Sequence, residues 1–263
     1  MTDLGKSVVR DAATVVLLRP PPQAPGSGPQ VLLLGRPASA KFAPGTQVFP
    51  GGSVDYADSD PAWAHLLDPN AANSKSQITE PRLKLAAIRE TFEECQILLA
   101  RGPDGAPCTA AQLAAVEAVR PRLRSGDPSA MRTAFESVGL RPDLDGLVFC
   151  AHWITPEGLP RRFDTRFFLA PLPPGQNPQP DPLGEHSSLR WVDPGTALEE
   201  ARQGICQMLP PTRAVLAQVA SAHSLEEALA IARETPVITI QPRLEEVNPE
   251  RYPGLDLATL RGH

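Results

Sequence analysis

Proline stands at 31 of the 263 positions. Each proline excludes a helix interior or a central strand where it stands, because it lacks an N–H and its ring clashes with the preceding turn. The chain must therefore be built from short regular elements joined by ordered, turn-rich loops. Two such loops are plain: PPPQAPGSGP from Pro20 to Pro29, and the run from Pro171 to Pro182. Hydrophobic residues make up 41% and charged residues 21%, enough apolar material for a globular core. The net charge of -5 gives no general attraction to nucleic acid, so a polyanionic partner is not expected. The apolar stretches fall short of the roughly 20 residues that span a bilayer, so no membrane segment is expected. Cys95, Cys108, Cys150 and Cys206 show no metal or redox spacing, and no secretory segment is evident. A reduced, cytoplasmic setting is the expectation.

Residues 1–10 read as a flexible lead-in. AATVVLL from Ala12 to Leu18 reads as a buried strand, and Val31 to Leu34 as its hairpin partner across the first proline loop. KFAPGTQVFPGG, Lys41 to Gly52, reads as a loop, a short strand and a tight glycine turn. A short helix is expected near Pro61 to Leu67. Pro81 is well placed to open a helix, and Leu85, Ile88, Phe92 and Cys95 recur at helical intervals, predicting one helix over about 81–99. Further helices are predicted at 109–124, 128–138, 194–203, 210–220 and 223–234. Strands are predicted at 147–154, 161–169, 189–192 and 237–240. No internal repeat is visible.

The chemistry concentrates on Arg89-Glu90-Thr91-Phe92-Glu93-Glu94. Glu90, Glu93 and Glu94 stand at i, i+3 and i+4, which stacks three carboxylates on one helical face. They repel one another, and a divalent cation removes that cost; their oxygens suit Mg²⁺ or Mn²⁺, with phosphates completing the shell. Taken alone, the string fits a solvated acidic surface equally well. Phe49-Pro50-Gly51-Gly52 upstream weighs against that reading, since paired glycines let backbone approach a ligand closely. Arg89 supplies a counter-charge able to tie loop to helix.

These residues resemble the signature of the Nudix hydrolases, G-x5-E-x7-R-E-U-x-E-E-x-G-U, with U a bulky apolar residue. Gly52 supplies the opening glycine, and Arg89 to Ile97 supply the second half. The resemblance implies an α/β fold, an α/β/α sandwich of mixed and antiparallel strands with helical insertions. It implies a metal site at Glu90, Glu93 and Glu94, a structural role for Arg89, and Mg²⁺ or Mn²⁺ as cofactor. The domain would span residues 11–241, with insertions at about 53–80 and 102–143 and a tail over 242–263. Three departures stand out. The box is lengthened between Gly52 and Arg89. Its early glutamate is replaced by Asp58 counting forward, or has Glu80 near its place counting back. Gln96 replaces the last glycine, so the helix is expected to run on.

The long insertion and the blocks at His152–Pro156, Asp164–Leu169 and Leu209–Thr212 resemble a branch of the family that includes a CoA diphosphatase. Members that cleave CoA carry an upstream motif, which Leu33-Leu34-Gly35-Arg36-Pro37, Lys41 and Gly45 match in part. The implied reaction is hydrolysis of CoA or acyl-CoA to 3',5'-ADP and (acyl-)phosphopantetheine. ADP-ribose, NADH and dinucleoside polyphosphates stay open as substrates, as do a non-catalytic nucleotide-binding domain and an RNA-cap hydrolase. Candidate substrate contacts are Arg36, Lys41, Gly51, Gly52 and Arg166. Glu185, in the polar loop DPLGEH, is a candidate general base beside Glu90. His152 reads more plainly as a structural histidine, and Trp153, Trp191 and Phe168 as core. The expected partner is a small nucleotide, and the resemblance also admits a homodimer.

Overall fold

The structure is a computed structural model that describes residues 8–22, 28–40, 43–67, 81–127, 129–180 and 186–248. Along the chain run β1 (Val9–Arg19), β2 (Gln30–Gly35), β3 (Thr46–Val48), β4 (Gly51–Ser53), α1 (Pro81–Cys95), β5 (Ala100–Arg101), α2 (Ala110–Glu117), α3 (Arg120–Arg124), α4 (Ala130–Val138) and β6 (Arg141–Pro142). Then come β7 (Val148–Ile154), β8 (Arg162–Pro171), β9 (Ser188–Val192), α5 (Pro194–Arg202), β10 (Gln207–Met208), α6 (Pro210–Ala220), α7 (Leu225–Glu234) and β11 (Thr239–Ile240).

The main sheet runs β10-β3-β2-β1-β8-β7-β11, with β4 also on β1 and β9 also on β2. Its spine is the parallel pair β1–β8, in register from Val9 opposite Arg162 to Leu18 opposite Pro171. Alternation along β1 sends Ala13, Val15 and Leu17 to one face and Val16 and Leu18 to the other. The first face packs under α1 and α4 with Ile88, Phe92 and Phe135. The second packs under α5, α6 and α7 with Ala197, Leu216 and Leu229. Both faces are thus covered by helices, which is the expected α/β/α sandwich with mixed strand directions.

β1 is shared unequally on its other edge. β2 pairs with it only at Leu18 and Arg19, whereas β4 pairs with Ala12, Ala13 and Thr14. The sheet therefore opens between β2 and β4, and a cleft forms at that opening. The two insertions pack on each other on the α1 face: Trp63 meets Phe135 edge-on, ring centroids 5.9 Å apart. Trp63 is anchored there by its indole N–H, which donates to the Ala57 carbonyl at 2.9 Å.

Several expectations need correction. β1 begins at Val9, so the lead-in is shorter than residues 1–10, and the flexibility expected of residues 1–7 lies outside the described residues. Gly51 and Gly52 are strand residues and not a tight turn. A Cβ on Gly51 would lie 2.5 Å from the Ala13 carbonyl oxygen, so the close β4–β1 approach requires glycine. The segment 109–124 is two helices, broken ahead of Pro121. The short pairs β5–β6 and β10–β3 escaped the periodicity, because two- or three-residue strands carry too little pattern.

The helix carrying the glutamates also stops sooner than expected. α1 ends at Cys95, and Gln96 takes φ 61°, the left-handed conformation that glycine supplies in the signature. Tertiary bonds enforce this turn. The Gln179 N–H donates to the Cys95 carbonyl at 3.0 Å, and the Gln176 side chain brackets Leu98 by accepting from its N–H and donating to its carbonyl. Ile97 and Leu98 are thereby sunk in the core, fully buried. A left-handed non-glycine residue costs about 1–2 kcal/mol. Gln96→Gly should therefore raise stability by about 1 kcal/mol, after some loss to chain entropy. Urea unfolding should show a higher midpoint at unchanged slope; a lowered midpoint would contradict the strain.

Candidate active site

Arg89 projects from the third turn of α1 into the space between α1, β4 and the first insertion. Its guanidinium grips Asp58 with two bonds, Nε to Oδ1 and Nη2 to Oδ2, both 3.0 Å. Nη2 also donates to the Ser53 carbonyl at 2.9 Å. Nη1 donates to Glu90 Oε1 at 2.9 Å and to Glu93 Oε1 at 3.3 Å. Asp58 is itself set by a capping box over the 3₁₀ turn Tyr56–Ser59, where its Oδ2 accepts from the Asp55 N–H at 2.8 Å. Asp58 therefore fills the early carboxylate position of the signature, one methylene shorter. Glu80 lies outside the described residues. Burial works against the Arg89 charge, but Glu90, Asp58 and Glu93 outweigh it, so the guanidinium is held charged more firmly than usual.

The three glutamates are largely shielded from solvent and differ in their partners. Glu90 and Glu93 face Arg89. Glu94 Oε2 accepts the Gly51 N–H at 2.9 Å, and Glu94 Oε1 accepts from His186 Nε2 at 2.7 Å. Gly52 lies flat against this face: a Cβ there would fall 2.5 Å from Glu90 Oε1. Gly52 and Glu90 thus lie side by side despite the lengthened box. The second insertion also reaches the site from behind, where Arg120 Nη2 donates to the Glu93 carbonyl at 2.9 Å.

The glutamates line a cleft of about 830 Å³ in the sheet opening. Arg36, Gly51 and Gly52 line it. Arg10, Arg161 and Phe163, which the sequence did not flag, join them, as do Phe167, Leu209 and Pro211 from the blocks at Asp164–Leu169 and Leu209–Thr212. Arg166 is not brought to the cleft. It sits on the α1 side of the sheet, bound to Asp164 at 2.7 Å and to Asp11 at 3.3 Å. His152 is tied into the same group by Asp164 and Thr239, as a structural histidine would be. Trp153 and Phe168 are core residues, and Trp191 stacks under the Arg19 guanidinium at 4.4 Å. Lys41 and Glu185 lie outside the described residues.

Among the described residues no three His, Cys, Asp or Glu side chains close into a cage around one point. Mg²⁺ is commonly held by one or two carboxylates plus substrate phosphates and water. The donor set fits such an ion: three carboxyl groups share one cleft-facing helix surface, and Gly52 leaves room beside Glu90.

Comparison with known proteins shows the family. The description "NUDT19 Nudix domain" matches residues 9–83 and 77–218. The chain therefore belongs to the Nudix family, on the NUDT19-like branch, and is a Nudix hydrolase. It is 28% identical to the chicken (Gallus gallus) "Acyl-coenzyme A diphosphatase NUDT19", over 83% of this chain and 70% of that protein. Identity to the human (Homo sapiens) protein of the same name is 29%, over 85% and 72%. A solved Nudix hydrolase from Alicyclobacillus acidocaldarius superposes with a TM-score of 0.69 at 27% identity, covering 88% of this chain and 99% of that one.

Two outcomes follow from the site. Removing Asp58 strands a buried guanidinium, so Asp58→Ala should lose about 3 kcal/mol or more in urea unfolding; a loss below about 1 kcal/mol would contradict the assigned pairing. Burial pushes the Glu90 carboxyl up from 4.5 to about 8, with repulsion from Glu94 and Glu93 adding and Arg89 opposing. The folded chain then keeps a proton that the unfolded chain has released. In EDTA, stability present below pH 4.5 should fall as pH rises toward about 8, and Glu90→Gln should flatten that decline. Parallel wild-type and variant Tm curves from pH 5 to 8.5 would contradict it.

Proposed function

We propose that this Nudix hydrolase cleaves the diphosphate of CoA or acyl-CoA, adding water to give 3',5'-ADP and (acyl-)phosphopantetheine. The observation that carries the reading is one cleft bearing both the three glutamates and Arg36, the arginine of the LLGRP segment. The names of the chicken and human relatives support the same substrate class. Arg10 and Arg161 add cationic side chains to a chain whose net charge is -5, so the local field can favour an anionic nucleotide. Phe163, Phe167, Leu209 and Pro211 give the cleft an apolar wall for the pantetheine arm.

Glu90, Glu93 and Glu94 would hold Mg²⁺ or Mn²⁺. Such an ion would supply charge neutralisation at the diphosphate and a more acidic water. Arg89 keeps Glu90 and Glu93 placed, and Glu90 takes the proton of the attacking water. The Gly51–Gly52 backbone lets the diphosphate lie close to the helix. Arg36 and Lys41 take the 3'-phosphate that distinguishes CoA from ADP-ribose, with lysine offering charge without the arginine fork.

Glu94→Gln should nearly abolish turnover with either metal while the fold persists. Preference for CoA over ADP-ribose should be about tenfold or less, equivalent to about 1.4 kcal/mol. Lys41→Ala should erode that ratio of kcat/KM while sparing ADP-ribose. Wild-type activity in the Glu94 variant would overturn the metal assignment, and an unchanged ratio would remove Lys41 from 3'-phosphate recognition.

A further inference from the structure

We propose that His186 is a positioning residue that orients Glu94 for the metal ion. The inference rests on the metal assignment of Glu94. His186 precedes β9 and its side chain is 4% exposed. Its Nε2 lies 2.7 Å from Glu94 Oε1. An ionised carboxylate can only accept, so Nε2 carries the hydrogen and donates. The opposite oxygen, Oε2, accepts the Gly51 N–H at 2.9 Å. One donor on each oxygen fixes both the rotation and the tilt of the carboxylate. Each oxygen keeps a second lone pair, and Glu94 faces the cleft, where a cation would take it up.

The ring stands behind Glu94 and is not part of the cleft lining, so it acts through the carboxylate and not on substrate. Its Nδ1 is buried with no hydrogen-bond partner among the described residues. A buried acceptor without a donor is unfavourable, and among the described residues the bond to Glu94 is the ring's single polar tether. Hydrogen bonds of this kind to a metal-ligating carboxylate hold it in the binding orientation and commonly govern affinity.

The test measures Mn²⁺ binding to the full chain without substrate, by electron paramagnetic resonance of the free ion. Thermal melts in EDTA and KM against kcat at saturating Mn²⁺ are measured alongside. His186→Ala should weaken Mn²⁺ binding about 10–100-fold. His186→Gln restores an N–H donor and should return affinity to within about threefold of wild type, with substrate KM unchanged in both. Mn²⁺ affinity in the alanine variant equal to wild type would overturn the proposal. So would a folded glutamine variant as weak as alanine, or one that has lost Mn²⁺ binding if the alanine variant does not fold. Glu94→Gln is the control. Unaltered Mn²⁺ binding there means the metal assignment has failed; weakened binding there with a wild-type alanine variant means His186 alone was misread.

Discussion

The site depends on how the Arg89 guanidinium is used up. One planar cation takes Asp58 in a two-bond grip, the Ser53 carbonyl, Glu90 and Glu93. Without it, carboxylates stacked at i, i+3 and i+4 on a half-buried helix face would be driven to protonate or to swing out to water. With it, that drift is opposed and two of them are held in place beside the cleft, while the third is held by a backbone amide and a histidine. The same contacts fasten three separate pieces of chain: α1, β4 and the 3₁₀ turn after it. A lysine could not do this, because a point charge has no fork with which to hold one carboxylate and still reach two others.

The rest of the fold presents that knot to a cavity. The parallel β1–β8 pair is long and buried on both faces, and it sets a rigid floor. Splitting the other edge of β1 between β2 and β4 opens the sheet beside the glutamates. The described parts of the insertions meet each other through Trp63 and Phe135 on the α1 face, while Val54, Asp55 and Tyr56 line the cleft. Arg120 reaches from the second insertion to the last turn of α1, where a cation satisfies a carbonyl at the helix C-terminus.

Much of this was legible in the residues. The near-continuous apolar run AATVVLL and the period-3.6 recurrence through Leu85, Ile88 and Phe92 are direct readouts of which atoms must leave water, and the elements followed. The three glutamates were legible because their spacing has one geometric meaning on a helix. Asp58 was half legible: its distance from Gly52 suits the signature, but only the fold shows that Arg89 closes on it. Arg166 was misleading, since an arginine in a strand carries no sign of which face it takes; its even register with Phe168 turned it toward Asp11 and Asp164. Gln96 misled for a different reason. Local preference argued for more helix, and long-range bonds from Gln176 and Gln179 overrode it. His186 could not be found by spacing at all, because its contact with Glu94 spans 92 positions of sequence.

Arg89 organises the carboxylates, the split of β1 gives them a cleft, and the chemistry then turns on which bond that cleft exposes to water. The most direct test incubates the chain with Mg²⁺ and CoA in ¹⁸O-labelled water and identifies the products by mass spectrometry. The account predicts 3',5'-ADP and 4'-phosphopantetheine, with one labelled oxygen in a single one of the two. Release of inorganic phosphate with 3'-dephospho-CoA left intact would contradict it, because the bond cut would then be the lone 3'-phosphate and not the diphosphate.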